Sequence, residues 1–196
     1  MTSGRQVVAS ITLTLDGHTT GPEGPYDMSC IAPHGMSDQA RDALLRITEA
    51  DVALLGRRNF EGFRGYWPTV ADDPAADPRD RQFAAWLNRV RKIVFSSTLK
   101  DVDWEHATVA TADPVRTVQA LRAEAGGEIR ALSSQSVIRQ LLAAAEIDRL
   151  ELMLAPEIVG GGARLFDDTQ PTSRWLFARA QPTDTGAVHL TYERQR

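Results

Sequence analysis

The sequence predicts an α/β sandwich of three layers, in which helices cover both faces of a mainly parallel, twisted sheet with an antiparallel C-terminal edge hairpin. Short β-branched apolar segments alternate with segments of helical spacing through most of the 196 residues, a pattern typical of parallel sheets. Near the C-terminus two strand-like segments follow each other without a helix, which indicates an antiparallel pair. No repeat or change of composition divides the chain, so we expect residues 1–196 to form a single domain.

The predicted strands are short runs rich in valine, isoleucine and leucine. The first one alternates apolar and small polar residues and ends at the Asp16-Gly17 turn. The predicted strands lie at 7–15, 52–55, 92–95, 107–110, 128–132 and 149–154, with the C-terminal pair at 175–179 and 187–192.

Capping signals mark the starts of the predicted helices. Ser37 is a plausible N-cap for a helix from 38 to about 50, and Asp113-Pro114 starts a helix that Gly126-Gly127 ends. Further helices are predicted to follow residue 56, to span about 79–88, and to follow Ser133–Ser136. The twenty residues after Gly17 are expected to form a long ordered loop or lid, and the acidic, proline-rich segment 68–78 a surface loop.

Composition excludes several classes of partner. The net charge of -4 provides no cluster of basic residues for nucleic acid or anionic membranes, and no segment has 18 consecutive apolar residues. Cys30 is the only cysteine, and the four histidines have no metal-ligand spacing. We therefore expect a cytoplasmic protein that binds a small molecule and no metal.

Small or basic residues follow three predicted strands at apparent helix starts: Gly56-Arg57-Arg58-Asn59, Ser96-Ser97-Thr98 and Ser133–Ser136. In an open α/β sheet, ligands bind beyond the carboxyl ends of the strands, where helix N-termini attract anions. The same residue types also cap helices that bind nothing. The residues alone leave both interpretations open, although the arginine pair suits phosphate oxygens.

The usual nucleotide and hydrolase motifs are missing, since the chain has no GxGxxG, GxxxxGK[ST] or GxSxG. The glycines 160–162 instead predict a tight crossing in which backbone approaches backbone or ligand. Asp16 is the best-placed acid, at the end of a predicted central strand. Its alternative is an ordinary Asp-Gly turn closed by a local hydrogen bond.

Four stretches resemble the dihydrofolate-reductase-like superfamily, in the branch of the C-terminal reductase domain of the riboflavin-biosynthesis deaminase-reductase. They are "SITLTLDG" at 10–17, "LLGRRNFEGF" at 54–63, "KIVFSSTL" at 92–99, and the long segment 126–166 that begins "GGEIRALSSQS". The resemblance implies bound NADPH, hydride transfer to a substrate, and a homodimer. We therefore expect an NADPH-dependent reductase of a small heterocyclic or carbonyl compound, with a catalytically silent nucleotide-binding or sensing module as the alternative.

The resemblance also implies roles for individual residues. Gly56, Arg57, Arg58 and Asn59 would meet the cofactor's phosphates, Ser96 and Ser97 its adenosine side, and Ser133, Ser134, Gln135 and Ser136 its pyrophosphate while also capping their helix. Thr12, Asp16 and Gly17 would lie near the nicotinamide and substrate, with Asp16 as the proton donor. Tyr26, Phe63 and Trp67 are expected to line the substrate pocket, unless they are ordinary packing.

Two positions depart from the family pattern. Ser133-Ser134 stands where the family often has glycines, and a Cβ there affects how closely phosphate approaches. Ala40 stands where dihydrofolate reductases present a carboxylate to the pterin. Reduction of dihydrofolate itself is therefore not expected.

Overall fold

An eight-stranded sheet forms the centre of the computed structural model, which describes residues 4–195. Its strands are β1 (Val7–Thr14), β2 (Val52–Gly56), β3 (Arg91–Phe95), β4 (Ala107–Val109), β5 (Ile129–Leu132), β6 (Arg149–Ala155), β7 (Trp175–Pro182) and β8 (Val188–Arg194). They lie in the order β4-β3-β2-β5-β1-β6-β8-β7. The first six strands pair in parallel, and β6, β8 and β7 pair antiparallel. The predicted parallel sheet with an antiparallel C-terminal edge is confirmed.

Within residues 4–195, six helices accompany the sheet: α1 (Ala32–Gly35), α2 (Asp38–Ile47), α3 (Arg57–Val70), α4 (Pro78–Arg89), α5 (Pro114–Ala123) and α6 (Gln135–Ala143). Alternate residues of each buried strand point to opposite faces. Val52 and Leu54 of β2 pack in a cluster with α5 and α6, whereas Ala53 and Leu55 pack in a cluster with α2, α3 and α4. The three-layer prediction is therefore also confirmed. None of the helices in the described part of the chain is long and apolar enough to cross a membrane.

Helix α3 continues three residues into the segment that was predicted to be a loop. Pro68 lies inside its last turn, where the missing N–H costs one intrahelical hydrogen bond. Packing offsets that cost, because the rings of Trp67 and Phe83 are 4.8 Å apart and Val70 is buried. The loop prediction is wrong for 68–70, and the turn before α4 occupies the following residues.

A charged cluster is buried on the sheet face that α2 covers. Arg130 is 2 % exposed, and its guanidinium binds the carboxylates of Glu128 and Glu151 and, at 2.8 Å, the hydroxyl of Ser10. Arg149 approaches the same Glu128 at 3.4 Å. Because each buried charge has an opposite partner, the cluster joins β1, β5 and β6 without leaving an isolated ion.

Candidate functional site

A cleft of about 630 Å³ crosses the carboxyl edge of the sheet. Its lining follows the strand order, with Ser96 after β3, Gly56 at the end of β2, Ser133 after β5 and Thr12 on β1. This is the edge at which open α/β sheets bind ligands. The position matches the place where the sequence predicted a ligand site.

A second, more open depression of about 720 Å³ lies at the opposite edge, around residues 4–6 and 122–128. Both arginines that line it already form ion pairs within the protein, Arg5 with Asp51 and Arg122 with Asp148 at 2.7 Å. We therefore place the candidate site in the cleft.

Two helices of nine residues or more begin at the cleft, and neither has a side-chain cap among residues 4–195. α3 starts after Gly56 and α6 starts after Ser134, and within residues 4–195 no cap side chain accepts their first N–H groups. The three helices of ten residues or more that start elsewhere are capped, by Ser37 for α2, Asp77 for α4 and Asp113 for α5. Unpaired N–H groups at a helix start attract anions. The N–H groups at the starts of α3 and α6 are therefore free to bind a ligand in the cleft, whereas α2, α4 and α5 each have a side chain that accepts one of theirs.

The hydroxyl of Ser134 joins two strand ends instead of capping α6. It accepts the N–H of Gly56 at 2.9 Å and donates to the carbonyl of Leu132 at 2.7 Å. The residue is 3 % exposed, so both hydrogen bonds are shielded from water. The prediction that this serine caps its own helix is wrong, because its oxygen points back to β2. It fixes the starts of α3 and α6 relative to each other.

The neighbouring serines face the cleft. Ser133 adopts a left-handed backbone with φ of 43°, and its N–H donates to the carbonyl of Ser10 at 2.7 Å. The turn that the family often builds with glycine is thus formed here by a serine. Ser133 and Ser136 are exposed, whereas the amide of Gln135 donates to the carbonyl of Arg164. Ser133 and Ser136 therefore have hydroxyls available to a ligand.

The two adjacent arginines are not equivalent. Arg57 donates to both carboxylate oxygens of Glu61, at 3.0 and 3.1 Å, and Glu61 also accepts the hydroxyl of Tyr26. Arg58 is exposed, lines the cleft and has no ion pair or side-chain hydrogen bond among the described residues. Arg58 is therefore the guanidinium that is free to meet an anion.

Asn59 adds an unpaired acceptor to the same helix start. Its side-chain oxygen is buried and has no hydrogen-bond partner in the part of the chain that the structure describes. A buried oxygen without a donor is costly in a protein that binds nothing there. A ligand that presents a hydroxyl or amino group would supply the missing donor.

Ser96 and Ser97 lie at the cleft's outer end, but no helix starts there. The hydroxyl of Ser96 accepts the N–H groups of Thr98 and Leu99 at 3.1 and 2.9 Å, which closes a tight turn. The chain then passes through a loop to β4. The predicted helix start after β3 is therefore wrong, although both serines still line the cleft.

The cleft lining also includes Thr12 on β1, Phe63 on α3 and Tyr26, as expected from the sequence. Trp67 is not part of the lining, and its T-shaped contact with Phe83 packs α3 on α4. Its position corresponds to the alternative of ordinary packing.

Asp16 and Gly17 also lie outside the cleft lining. The carboxylate of Asp16 accepts the hydroxyl of Thr14 at 2.6 Å and the N–H of Gly160 at 2.8 Å. The Thr14 hydroxyl, the Gly160 N–H and further donors hold the pKa of Asp16 well below its usual range. A carboxylate held in this way donates no proton at neutral pH, so the geometry favours a structural role that joins the end of β1 to the glycine loop.

Gly162 of that loop makes the predicted tight crossing. Its φ is 105°, and a Cβ built on it would lie 2.2 Å from the carbonyl oxygen of Thr20. Thr19 donates its N–H to the carbonyl of Ala163 at 2.6 Å. Backbone therefore approaches backbone here, and the crossing forms one wall of the cleft.

We expect Asp16→Asn to lower thermal stability at neutral pH and to flatten the acid limb of the stability curve. The folded-state pKa is depressed, so the stabilisation is present above the ordinary carboxyl pKa of 3.8 and is lost as the pH falls below it. Thermal melts from pH 2.5 to 7 of the parent and the variant measure the difference. Parallel curves for the two proteins would show that these hydrogen bonds do not stabilise the fold.

Sequence reasoning missed much of the apolar lining. The signals were present, since Ile11 precedes Thr12 on β1 and two threonines follow His18, one residue after the Asp-Gly turn. The missed residues are Ile11, Thr19, Thr20, Pro25, Met28, Ile31, Gly62, Phe95 and Ala163. Among the described residues no group of histidine, cysteine or acidic side chains is arranged to hold a metal ion.

Comparison with known proteins gives one family. The model of the RibD C-terminal domain matches residues 5–189. The uncharacterized protein YyaP of Bacillus subtilis (strain 168) is 24% identical over 189 residues, which cover 96% of this chain and 94% of that protein.

Solved structures of low sequence identity share the fold. A candidate riboflavin biosynthesis protein of Shewanella sp. PV-4 superposes with a TM-score of 0.72 at 17% identity, covering 97% of this chain and 99% of that one. The deaminase/5-amino-6-(5-phosphoribosylamino)uracil reductase of Thermotoga maritima gives a TM-score of 0.65 at 15% identity, covering 98% and 57%. Enterococcus faecalis dihydrofolate reductase complexed with NADP(H) gives 0.63 at 18%, covering 97% of each chain.

Proposed function

Because the chain belongs to the RibD C-terminal domain family, we propose that it is an NADPH-dependent reductase that binds the cofactor along the cleft and reduces a small heterocyclic or carbonyl compound. The single observation that carries this proposal is the pair of helix starts without side-chain caps, α3 and α6, which meet at the cleft. Both helices would direct unpaired N–H groups at the phosphates of an extended dinucleotide.

The residues present suit such a ligand. Arg58 offers a free guanidinium for a phosphate, Ser133 and Ser136 offer hydroxyls, and the buried oxygen of Asn59 accepts from a hydroxyl or amino group. Ser96 and Ser97 would border the adenosine, and Thr12 would lie at the nicotinamide end. Bound NADPH supplies the hydride, while the protein orients it and excludes water.

The test is direct binding of NADPH to the purified chain by calorimetry, together with the salt dependence of the affinity. We expect saturable binding that weakens as ionic strength rises, because charge-assisted contacts to phosphate are screened by salt. Binding of adenosine serves as the control, since it has no phosphate. Absence of NADPH binding at low salt would refute the proposal.

The silent binding or sensing module is the competing function. It is favoured by Asp16, whose carboxylate lies outside the cleft lining and stays ionised. Only a reductase would oxidise NADPH in the presence of a substrate. NADPH oxidation is therefore followed at 340 nm across a panel of ketones, quinones and pyrimidines. Binding without oxidation by any compound would favour the module.

We also propose a homodimer, in which a second copy covers the open edge of the sheet. Strand β7 is that edge, and its Leu176 and Phe177 are 54% and 62% exposed. Exposed apolar edge strands pair readily with another strand. The sedimentation coefficient of the purified chain distinguishes one copy from two.

A further inference from the structure

The two ends of the cleft differ in chemistry. Arg57 and Arg58, in the first turn of α3, are the charged residues of the lining. The other end, at β1, is lined by aliphatic and thioether side chains and by hydroxyls, including Ile11, Met28 and Ile31. Strand β5 separates β2 from β1, so the two ends are about 10 Å apart.

Most hydroxyls at the β1 end are already engaged. Thr19 donates to the carbonyl of Ala163 at 3.0 Å, and Thr20 accepts the N–H of the same residue at 3.1 Å. The hydroxyl of Tyr26 donates to Glu61 at 3.1 Å, and because Glu61 also binds Arg57, this hydroxyl lies toward the α3 end. Thr12 is half-buried on β1, with no side-chain hydrogen bond to any residue in 4–195. Thr20 also keeps its proton, but Thr12 is the hydroxyl at this end with neither a donor nor an acceptor among those residues.

Nearby carboxylates are all held by other groups and do not line the cleft. Glu61 is bound by Arg57 and Tyr26, and Asp16 by Thr14 and Gly160. Asp27 accepts the hydroxyl and the N–H of Ser29 at 2.6 and 3.1 Å. A cationic ligand therefore meets neutral groups at the β1 end.

Among the described residues, no cationic side chain beyond Arg57 and Arg58 lines the cleft. Arg164 follows the lining residue Ala163 in sequence, but it is exposed and is not part of the lining. An anionic substituent placed among Ile11, Met28 and Ile31 would lose its water and gain no partner. Burying such a charge costs far more than burying a neutral group of the same shape.

We propose that the β1 end takes an uncharged, largely apolar ring compound that bears a carbonyl group hydrogen-bonded to the hydroxyl of Thr12. This inference rests on the proposed function, in which the cofactor's phosphates lie at the α3 end and its nicotinamide reaches Thr12. Hydride would add to the electrophilic carbon, the C=O π electrons would move to oxygen, and water would supply the proton. Substrates with a phosphate or a cationic ring would be rejected.

The test uses three probes of one shape on the NADPH-loaded protein, in which the nicotinamide ring is uncharged: 2-naphthamide, which is neutral and is not reduced, 2-naphthoate, which is anionic, and 2-naphthamidine, which is cationic. Dissociation constants are measured by calorimetry. We expect the amide to bind at least about tenfold more tightly than either ion, because neither ion gains a partner for its charge. Equal or tighter binding of an ion, or binding of none of the three, would overturn the proposal.

A charge placed at the mouth of the cleft provides the matched control. Met28 lines the cleft and is 45% exposed, whereas Met36 is 54% exposed and lies outside the lining. Met28→Lys should tighten naphthoate binding about tenfold through the new charge pair, and Met36→Lys should leave it unchanged. Equal effects of the two variants would count against a site at the β1 end.

NADPH saturation is measured first, in the same samples. Lack of saturation would refute the proposed cofactor and with it the substrate class. Normal saturation combined with tight naphthoate binding would overturn the substrate class alone.

Discussion

Replacing Arg130 with methionine is expected to lower the free energy of unfolding by about 3–5 kcal/mol, because it leaves buried carboxylates without their partner. Arg130 is 2 % exposed and binds both Glu128 and Glu151. Burial already raises the pKa of Glu128. Loss of the guanidinium therefore leaves two mostly buried carboxylates, 16% and 24% exposed, without their shared partner. Urea denaturation at pH 7, followed by circular dichroism, measures the difference.

Two comparisons make this result specific. Arg116→Met removes an arginine that is 82% exposed and 3.7 Å from Asp113, and we expect a change below about 1 kcal/mol. The triple variant Arg130→Met, Glu128→Gln, Glu151→Gln removes the stranded charges and should recover much of the lost stability. A single variant as stable as the parent, or a triple variant worse than the single one, would contradict the explanation.

Arg58→Ala is expected to raise the dissociation constant for NADPH about 10- to 100-fold, since hydrogen bonds to charged groups contribute about 1.5–3 kcal/mol. The side chain is exposed at the start of α3 and free of intramolecular ion pairs among the described residues. Its loss should leave the melting temperature of the ligand-free protein almost unchanged. Calorimetric titration with NADPH at low salt provides the measurement.

The adjacent arginine is the internal control. Arg57 is held by Glu61, so its replacement by alanine should weaken NADPH binding less than that of Arg58. The difference between the NADPH dissociation constants of the two variants should become smaller as salt is added. If Arg57→Ala has the larger effect, the cofactor displaces Glu61, and Arg57 is the residue that binds phosphate.

Local patterns predicted the elements of the fold better than their arrangement. Alternation identified β1 as a strand, and Asp113-Pro114 placed the start of α5, because both signals act over a few residues. The insertion of β5 between β2 and β1 had no local signal, since pairing in a sheet depends on contacts between distant segments. Pro68 was misleading, because the packing of Trp67 outweighs one lost hydrogen bond.

The site was predicted at the level of segments and missed at the level of atoms. The positions of Gly56 and Ser133 after predicted strands indicated that both lie at the ligand-binding edge of the sheet. Both residues line the cleft in the structure. Arg57 and Arg58 were not distinguished from the sequence, although a local signal exists, since Glu61 lies one helical turn after Arg57 and Gly62 one turn after Arg58. Sequence also assigned Ser134 to its own helix, whereas its hydroxyl reaches a backbone N–H 78 residues away in sequence. A contact of that range exists only once the chain has folded.

The contrast between capped and uncapped helices implies a trade-off between heat resistance and ligand capacity. A good N-cap contributes about 1 kcal/mol and a glycine N-cap only a few tenths less, so the open start of α6 forgoes about 1 kcal/mol and that of α3, whose N-cap is Gly56, much less. Selection for thermal survival alone would favour side chains that fill those positions. Such variants would be more stable because a side chain of the protein would accept hydrogen bonds from the N–H groups that now face the cleft. Those N–H groups would then no longer be free to bind a ligand. Under the proposed function, the uncapped starts of α3 and α6 exchange some stability of the fold for backbone N–H groups that are free to bind a ligand.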